Sequence, residues 1–456
     1  MSKIINNIQV FKSKTKNIKM HFLQRAELWL NKQINDIKVK GLKIVFFKTI
    51  LLFKLIFCFF ISSIILLIIR LISPLILIKL SGLDMGRIGE YKVIWLLKLK
   101  NLKKIQTKKT IYIFFLRNST NYTNKQWLKM HKKKITILPI PMLKYVLILN
   151  RLFSGYEKHE LPDFNSLTTP RGAKNNYFYI KNLGTKTLNE LVKSKDSVFS
   201  FSKKEEEIGQ SYLKAIGAQE YKFICFHSRD KAFLNKNAQN RNWDYHDYRD
   251  SNIFNYLHSM EEITKKNNYF CFRMGSTVQD KISVLNKRII DYANSKNRSD
   301  FLDIFLGSKC RFFLCSQTGL AIVPETFNRP VVYVNSSNLS LNNTFSNNSL
   351  FIPKKHFSLK KNRLLTFKEF IDSGLDIHST SQRFKDLNIK LIENTPEEIT
   401  DVVMEMENRL KGSWKTDKED EELQEKFWNI FKHTFLKSSS FRLGSKFLKQ
   451  NRELLN

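Results

Sequence analysis

The chain has 456 residues, 42% of them hydrophobic and 13% aromatic, which supplies cores for two ordinary domains and excludes a disordered chain. Its formal charge of +36 invites a nucleic-acid reading, but the 77 Lys and Arg are spread along the chain rather than gathered into one stripe. Such a diffuse field favours anionic partners in general, and the dispersion speaks against a nucleic-acid partner. Cys58, Cys225, Cys271, Cys310 and Cys315 form no CxxC pair and the histidines are scattered, so no metal site is expected and a reducing, cytosolic setting suits the soluble part.

The first element in chain order is the apolar run Ile44 to Leu80. Its uninterrupted part, Leu55 to Ile69, is shorter than the ~20 residues of a spanning helix, although Lys48 and Lys54 can snorkel and extend it. No small-residue cleavage site follows, so the segment is expected to be retained. Lys and Arg crowd both flanks, so charge does not choose an inside. The pattern suits a span, or a re-entrant or in-plane helix whose two ends face anionic membrane lipid; a buried core helix is the third possibility.

Strand-like and helix-like runs then alternate, which predicts parallel sheets in an α/β fold. Thr110–Leu116 reads as a strand, Asn124–Lys133 as a helix and Ile135–Pro139 as a strand. A second cycle takes strand Tyr221–His227, a polar loop, a helix over Ile253–Lys266, strand Tyr269–Gly275, helix Ser299–Ser308, a strand ending before Ser316, a helix from Leu320, and strand Arg329–Asn335. Two helices close the chain: Thr395 caps the first ahead of Pro396, and QEKFWNIFKHTF repeats apolar residues at helical spacing. The expected organisation is 1–80 basic N-terminus and membrane segment, 81–205 a first α/β domain, 206–395 a second, and 396–456 helices packing back across them.

In a parallel sheet ligands sit at the carboxyl ends of the strands. Those ends are polar here: His227-Ser228-Arg229-Asp230, Arg273-Met274-Gly275, Ser316-Gln317-Thr318-Gly319 and Asn335. Arg229 offers a planar fork to phosphate oxygens, and Ser316, Thr318 and the amides near Gly319 stand where a helix begins, a place for an anion. Arg273 and Gln317 stand at the same strand ends. Glu325, about two turns on, is placed to accept from a ribose. His227, Asp230, Asp244 and His246 are candidate acids or bases, and so is Glu90 in the loop Gly86-Arg87-Ile88-Gly89-Glu90. Capping and ion pairing would explain the same residue types without a ligand.

FHSRD, NWDYHDYRDSNIFNYLHSMEEI, FRMGS, DYANS, SDFLDIFLGSKCRFFLCSQTGLAIVPETFNRPVVYVN, LLTFKEFIDSG and QEKFWNIF together resemble an uncharacterised bacterial family of glycosyltransferases linked to surface polysaccharide biosynthesis. The resemblance runs from about Leu83 to the C-terminus and is dense from Tyr221. It implies the GT-B type: two Rossmann-like domains facing across a cleft, with the membrane helix before them and the helical tail behind. It implies that the second domain holds a nucleotide-sugar donor and the first a glycan or lipid-linked acceptor, and that transfer is metal-independent and uses no cofactor. Arg229, Ser316, Thr318, Gly319 and Glu325 fall where such enzymes hold the diphosphate and ribose. Relatives tend to carry His where this chain has Glu90. The implied location is the bacterial inner membrane, with the catalytic domains on the cytoplasmic side. A sugar-nucleotide epimerase of similar fold and a non-catalytic membrane-bound scaffold for envelope assembly are the alternatives.

Overall fold

A computed structural model describes residues 41, 43–89, 92–101, 109–117, 123–140, 142–161, 197–237, 242–337, 348–376, 379–431 and 441–456, with residues 34, 38 and 190 besides. The first elements in chain order are α1 (Lys43–Leu71), β1 (Leu77–Leu83), α2 (Lys92–Asn101), β2 (Thr110–Leu116), α3 (Lys125–Lys132), β3 (Thr136–Leu138) and α4 (Leu143–Asn150). Then come α5 (Lys203–Ala215), β4 (Phe223–His227), α6 (Ala232–Asn237), α7 (Phe254–Asn267), β5 (Phe270–Arg273), β6 (Ile289–Ile290), α8 (Asp300–Lys309), β7 (Phe313–Cys315), α9 (Ile322–Thr326) and β8 (Val331–Ser336). The chain ends with β9 (Ser349–Pro353), β10 (Lys355–Ser358), β11 (Arg363–Leu364), α10 (Phe367–Asp372), α11 (Ser381–Asp386), β12 (Ile389–Ile392), α12 (Pro396–Lys411), α13 (Lys418–Ile430), β13 (Phe441–Leu443) and α14 (Ser445–Gln450). These fall into two compact units, Met1–Pro74 with Met142–Tyr156, and Leu75–Pro141 with Glu157–Asn456.

The first unit contains α1 and α4. Among the described residues α1 is the one helix long and apolar enough to cross a membrane. The apolar run that reads as one membrane segment from Ile44 to Leu80 divides in the structure. The helix stops at Leu71, ahead of Pro74, whose ring and missing N–H do not let a helix continue through it. Leu77–Leu83 is instead a strand, paired in parallel with β2 from Leu77↔Thr110 to Leu83↔Leu116, with Leu80 and Leu83 buried. Sequence hydropathy does not separate these two halves, because a buried parallel strand and a membrane helix are equally apolar.

The second unit is α/β. One parallel sheet has the order β1-β2-β3; the larger has the order β13-β9-β8-β7-β4-β5-β6 and every pair in it is parallel. A third, small sheet is antiparallel, with the order β11-β10-β12. Every residue of β4, β7, β8 and β9 is buried, as strands covered on both faces require. The helical tail also contributes β13, which pairs with β9 at the sheet edge and was not apparent as a strand in the sequence. Thr395 caps α12 as expected: its side chain takes the Glu398 N–H and Glu398 returns to the cap, with Pro396 in the first turn and Gly412 left-handed at the end.

The strand order fixes where a ligand belongs. From β4 the chain moves through β5 and β6 to one edge, then returns on the other side of β4 with β7 and continues outward through β8 and β9. The direction reverses between β4 and β7, so the loops after these two strands part and leave a crevice at their carboxyl ends.

Candidate functional site

The two polar strand ends meet at that crevice. Ser316 Oγ accepts from the Arg229 backbone N–H at 2.9 Å, and the Ser316 N–H reaches the His227 carbonyl at 3.4 Å. Of the residues singled out from sequence, His227, Ser228, Arg229, Asp230, Ser316, Gln317, Thr318 and Gly319 are therefore brought to one place. Glu90 lies outside the described residues.

Arg229 and Asp230 do not pair with each other. The Arg229 guanidinium holds Asp250 and the carbonyl of His246, the latter at 3.2 Å. Asp230 receives two backbone N–H groups, Ala232 at 2.8 Å on Oδ1 and Gln279 at 3.0 Å on Oδ2. Arg273 is fully buried at the end of β5; its Nη1 is 3.4 Å from Asp291, while Nε and Nη2 have no hydrogen-bond partner among the described residues. Glu325 stands in the sequence where it could accept from a ribose; the structure buries it completely, with Oε1 taking the Tyr333 hydroxyl at 2.5 Å. The short helix α9 packs every one of its residues inward, which helical spacing alone does not reveal.

His227 donates from Nδ1 to the Met274 carbonyl at 2.9 Å, because a carbonyl only accepts. Its proton-accepting atom is therefore Nε2. Burial, with the Arg273 charge adding to it, pushes its pKa down to about 4, against the opposing carbonyl bond. The imidazole is neutral throughout the physiological range.

Residues 244–249 form a two-turn 3-10 helix beside this crevice, and it contributes the residue that sequence reading missed. Arg249 Nη2 donates to the Gln317 carbonyl at 2.8 Å, and its Nε is buried without a partner among the described residues. Arg87, from the loop after β1, stacks its guanidinium over the Trp243 ring at 4.7 Å. Burial lowers the Arg249 pKa, with the Arg87 charge adding to it; burial and then the Arg249 charge lower Arg229 to about 10. His246, set among all three guanidiniums, is pushed to about 3 by burial and then by Arg249, Arg229 and Arg87. The nearby carboxylates are engaged, Asp250 by Arg229 and Asp247 by Lys231 at 2.6 Å. Among the described residues Arg87 and Arg249 form no ion pair. What results is a cluster of mutually repelling cations that a bound anion would relieve. Within NWDYHDYRDSN, Arg249 stands among acids and reads as one more surface charge; only its bond to Gln317 distinguishes it.

The loop carrying Arg87 reaches this place because two glycines let it. A Cβ on Gly89 would lie 2.8 Å from the Gly319 Cα, and a Cβ on Gly319 would lie 3.3 Å from the Gly89 Cα and N. The backbones of the two loops touch with no room for a side chain. Gly89→Ala is expected to cost about 1–3 kcal/mol of stability, or to push the loop and Arg87 away from the crevice. Unfolding melts together with nucleotide titration check this, and a variant that keeps both its stability and its binding would show that the contact is unimportant.

No protein-family model matches the sequence, and no curated protein matches it. Among solved structures, the chain is similar to a glycosyl transferase family 9 from Veillonella parvula, with TM-score 0.36 and 10% identity over 68% of this chain and 95% of that one. It is also similar to a UDP-GlcNAc 2-epimerase from Neisseria meningitidis bound to UDP-GlcNAc, with TM-score 0.27 and 12% identity over 57% of this chain and 82% of that one. At such scores neither likeness bears on chemistry, for which the residues above are the ground.

Proposed function

We propose that the protein is a glycosyltransferase of the GT-B type that binds a nucleotide-sugar donor in the β4/β7 crevice and passes the sugar to a membrane-associated glycan or lipid-linked acceptor in surface polysaccharide synthesis. The observation that carries this is the convergence of Arg249, Arg87 and Arg229 at the reversal point of a parallel sheet, with Asp250 alone ion-paired to them among the described residues. The diphosphate of a nucleotide sugar carries two negative charges and gains a third as the sugar–oxygen bond breaks and its electron pair stays on the leaving oxygen. Guanidiniums already fixed at the crevice meet them without reorganisation, so neither metal nor cofactor is called for. In this reading Arg249 and Arg87 hold the diphosphate. Arg229 shapes the wall through Asp250 and its backbone bond to Ser316.

Of the proton-acceptor candidates, Asp230 is occupied by two amides, whereas His227 is kept deprotonated with Nε2 as its accepting atom. We assign to His227 the removal of the acceptor hydroxyl proton. His227→Asn is expected to lower turnover about 10²–10⁴-fold while leaving nucleotide affinity near its original value. Loss of binding in step with turnover would instead make His227 a part of the donor site. Helix α1 would hold the enzyme at the bacterial inner membrane, with the α/β unit on the cytoplasmic side and anionic lipid around the helix.

The direct test is to incubate the protein with a panel of nucleotide sugars, with and without a membrane fraction, and to follow free nucleoside diphosphate and the recovered sugar nucleotide. A transferase releases diphosphate in an acceptor-dependent manner. An epimerase leaves the nucleotide sugar intact with one stereocentre changed. If no nucleotide raises the melting temperature of the folded protein and none is consumed, the crevice is not a donor site.

A further inference from the structure

The apolar surface of the first unit is not confined to α1. At Ile50, Leu51, Leu52 and Phe53, successive positions turned about 100° from one another, the side chains are all exposed, so this part of the helix is apolar all round. Further along, α4 covers one side: Phe59 packs on Tyr145 with ring centroids 4.9 Å apart, Ser62 Oγ donates to the Met142 carbonyl at 3.2 Å, and Arg70 Nη2 donates to Asn150 Oδ1 at 2.9 Å. The part of α1 left uncovered, Lys43 to Cys58, is about 24 Å long. That is short of the ~30 Å hydrocarbon thickness, and it includes Lys48 and Lys54.

A membrane that accommodates α1 must therefore also take in the part that α4 covers. On its outer side α4 is prepared for this. Ile148 on α4 and Leu152 and Phe153 in the turn that follows it are 48%, 76% and 52% exposed, while Leu143, Val146 and Leu147 are buried. Arg70 is held by Asn150, by the Ser154 carbonyl at 3.3 Å and over the Phe153 ring at 5.0 Å, and no carboxylate among the described residues pairs with it. A lipid phosphate at the edge of the bilayer would provide the missing counter-charge.

We infer that the membrane anchor is a two-helix unit, in which α4 and the turn at Leu152–Phe153 enter the lipid beside α1 and Arg70 marks the headgroup level. This rests on the seating of α1 in a bilayer, and the test separates the two. In full-length protein with Cys58→Ser, the remaining cysteines are buried, so single cysteines at Phe57→Cys, Leu152→Cys and Lys287→Cys can each carry an NBD fluorophore. The labelled proteins are reconstituted into phosphatidylethanolamine–phosphatidylglycerol vesicles and exposed to aqueous iodide or to acyl-chain doxyl lipid. Labels at 57 and 152 are both expected to move to shorter emission wavelength, to lose most of their intensity to doxyl lipid, and to be quenched by iodide several-fold less than the label at 287. A label at 152 as open to iodide as that at 287, with 57 still in lipid, overturns the two-helix anchor and leaves α1 seated alone. Shielding at 152 from both quenchers also overturns it, in favour of protein covering this face. If 57 too is open to iodide, the membrane seating itself fails, and the anchor with it.

Discussion

Acidification from the ordinary histidine value of 6.5 to about 4 is expected to destabilise the protein steeply, because His131, His227 and His356 are buried and each is pushed down to about 4. Burial is the largest cause in all three; a carbonyl bond from Trp127 opposes it at His131, and the Lys354 charge adds to it at His356. The sign follows from proton counting. In the unfolded chain these imidazoles protonate as the pH falls through 6.5, while in the folded chain they resist until about 4. Across that window the unfolded state binds more protons, so stability is complete above 6.5, falls with the pH and levels off below about 4. A shift of this size corresponds to roughly 3 kcal/mol for each histidine. Three of them approach the ~5–15 kcal/mol that holds a typical domain folded. Asp303 works the other way: burial raises it to about 6, so it takes a proton in the folded state first and returns part of the loss below that value. Urea unfolding at a series of pH values measures the net slope, expected to approach about four protons, since His246 at about 3 adds its own to the three, less any share from Asp303. Stability that stayed level across the window would mean that these imidazoles are hydrated in solution.

How much of this was legible in the sequence depends on where the determining contact lies. The strands β4, β5, β7 and β8 were apparent because a strand buried on both faces is a short continuous apolar run with a polar residue at its end. The same rule located His227–Asp230 and Ser316–Gly319, and the structure joins them through Ser316 Oγ. β1 was hidden, since next to α1 its leucines look like more membrane helix; what marks it is its pairing with β2, a fact about residues some thirty positions on. β9 to β12 are hard to read because they are only 5, 4, 2 and 4 residues long, too short for a period-2 pattern to stand out. In the site, the sequence shows which polar residues end the strands but not which partners they take. The sequence offers Arg229 as a fork for phosphate and Glu325 as an acceptor for ribose; Asp250 and Tyr333 engage them, and neither pairing leaves a periodic trace in the chain.

The difference in partners gives opposite expectations for two arginines in the same crevice. Arg229→Ala removes the counter-charge of Asp250, whose side chain is only 21% exposed while that of Arg229 is 12% exposed. Stranding a carboxylate that far from water costs about 3 kcal/mol, so this variant should melt at clearly lower temperature with or without nucleotide. Removing the stranded charge as well, in Arg229→Ala with Asp250→Ala, should recover much of the loss, which a double-mutant cycle measures directly. Arg249→Ala strands no acid among the described residues, where Arg249 bonds to the Gln317 carbonyl and faces the Arg87 cation. Its melting temperature should stay the same or rise as the repulsion within the cluster falls. Its affinity for nucleoside diphosphate should fall about 10–100-fold, as the loss of a charge-assisted phosphate contact of about 1.5–3 kcal/mol implies. Calorimetric titration of both variants with nucleoside diphosphate, alongside unfolding melts, separates the roles. If Arg229→Ala were stable yet unable to bind while Arg249→Ala bound normally, the diphosphate would belong on Arg229, and the pair with Asp250 would open when the ligand arrives.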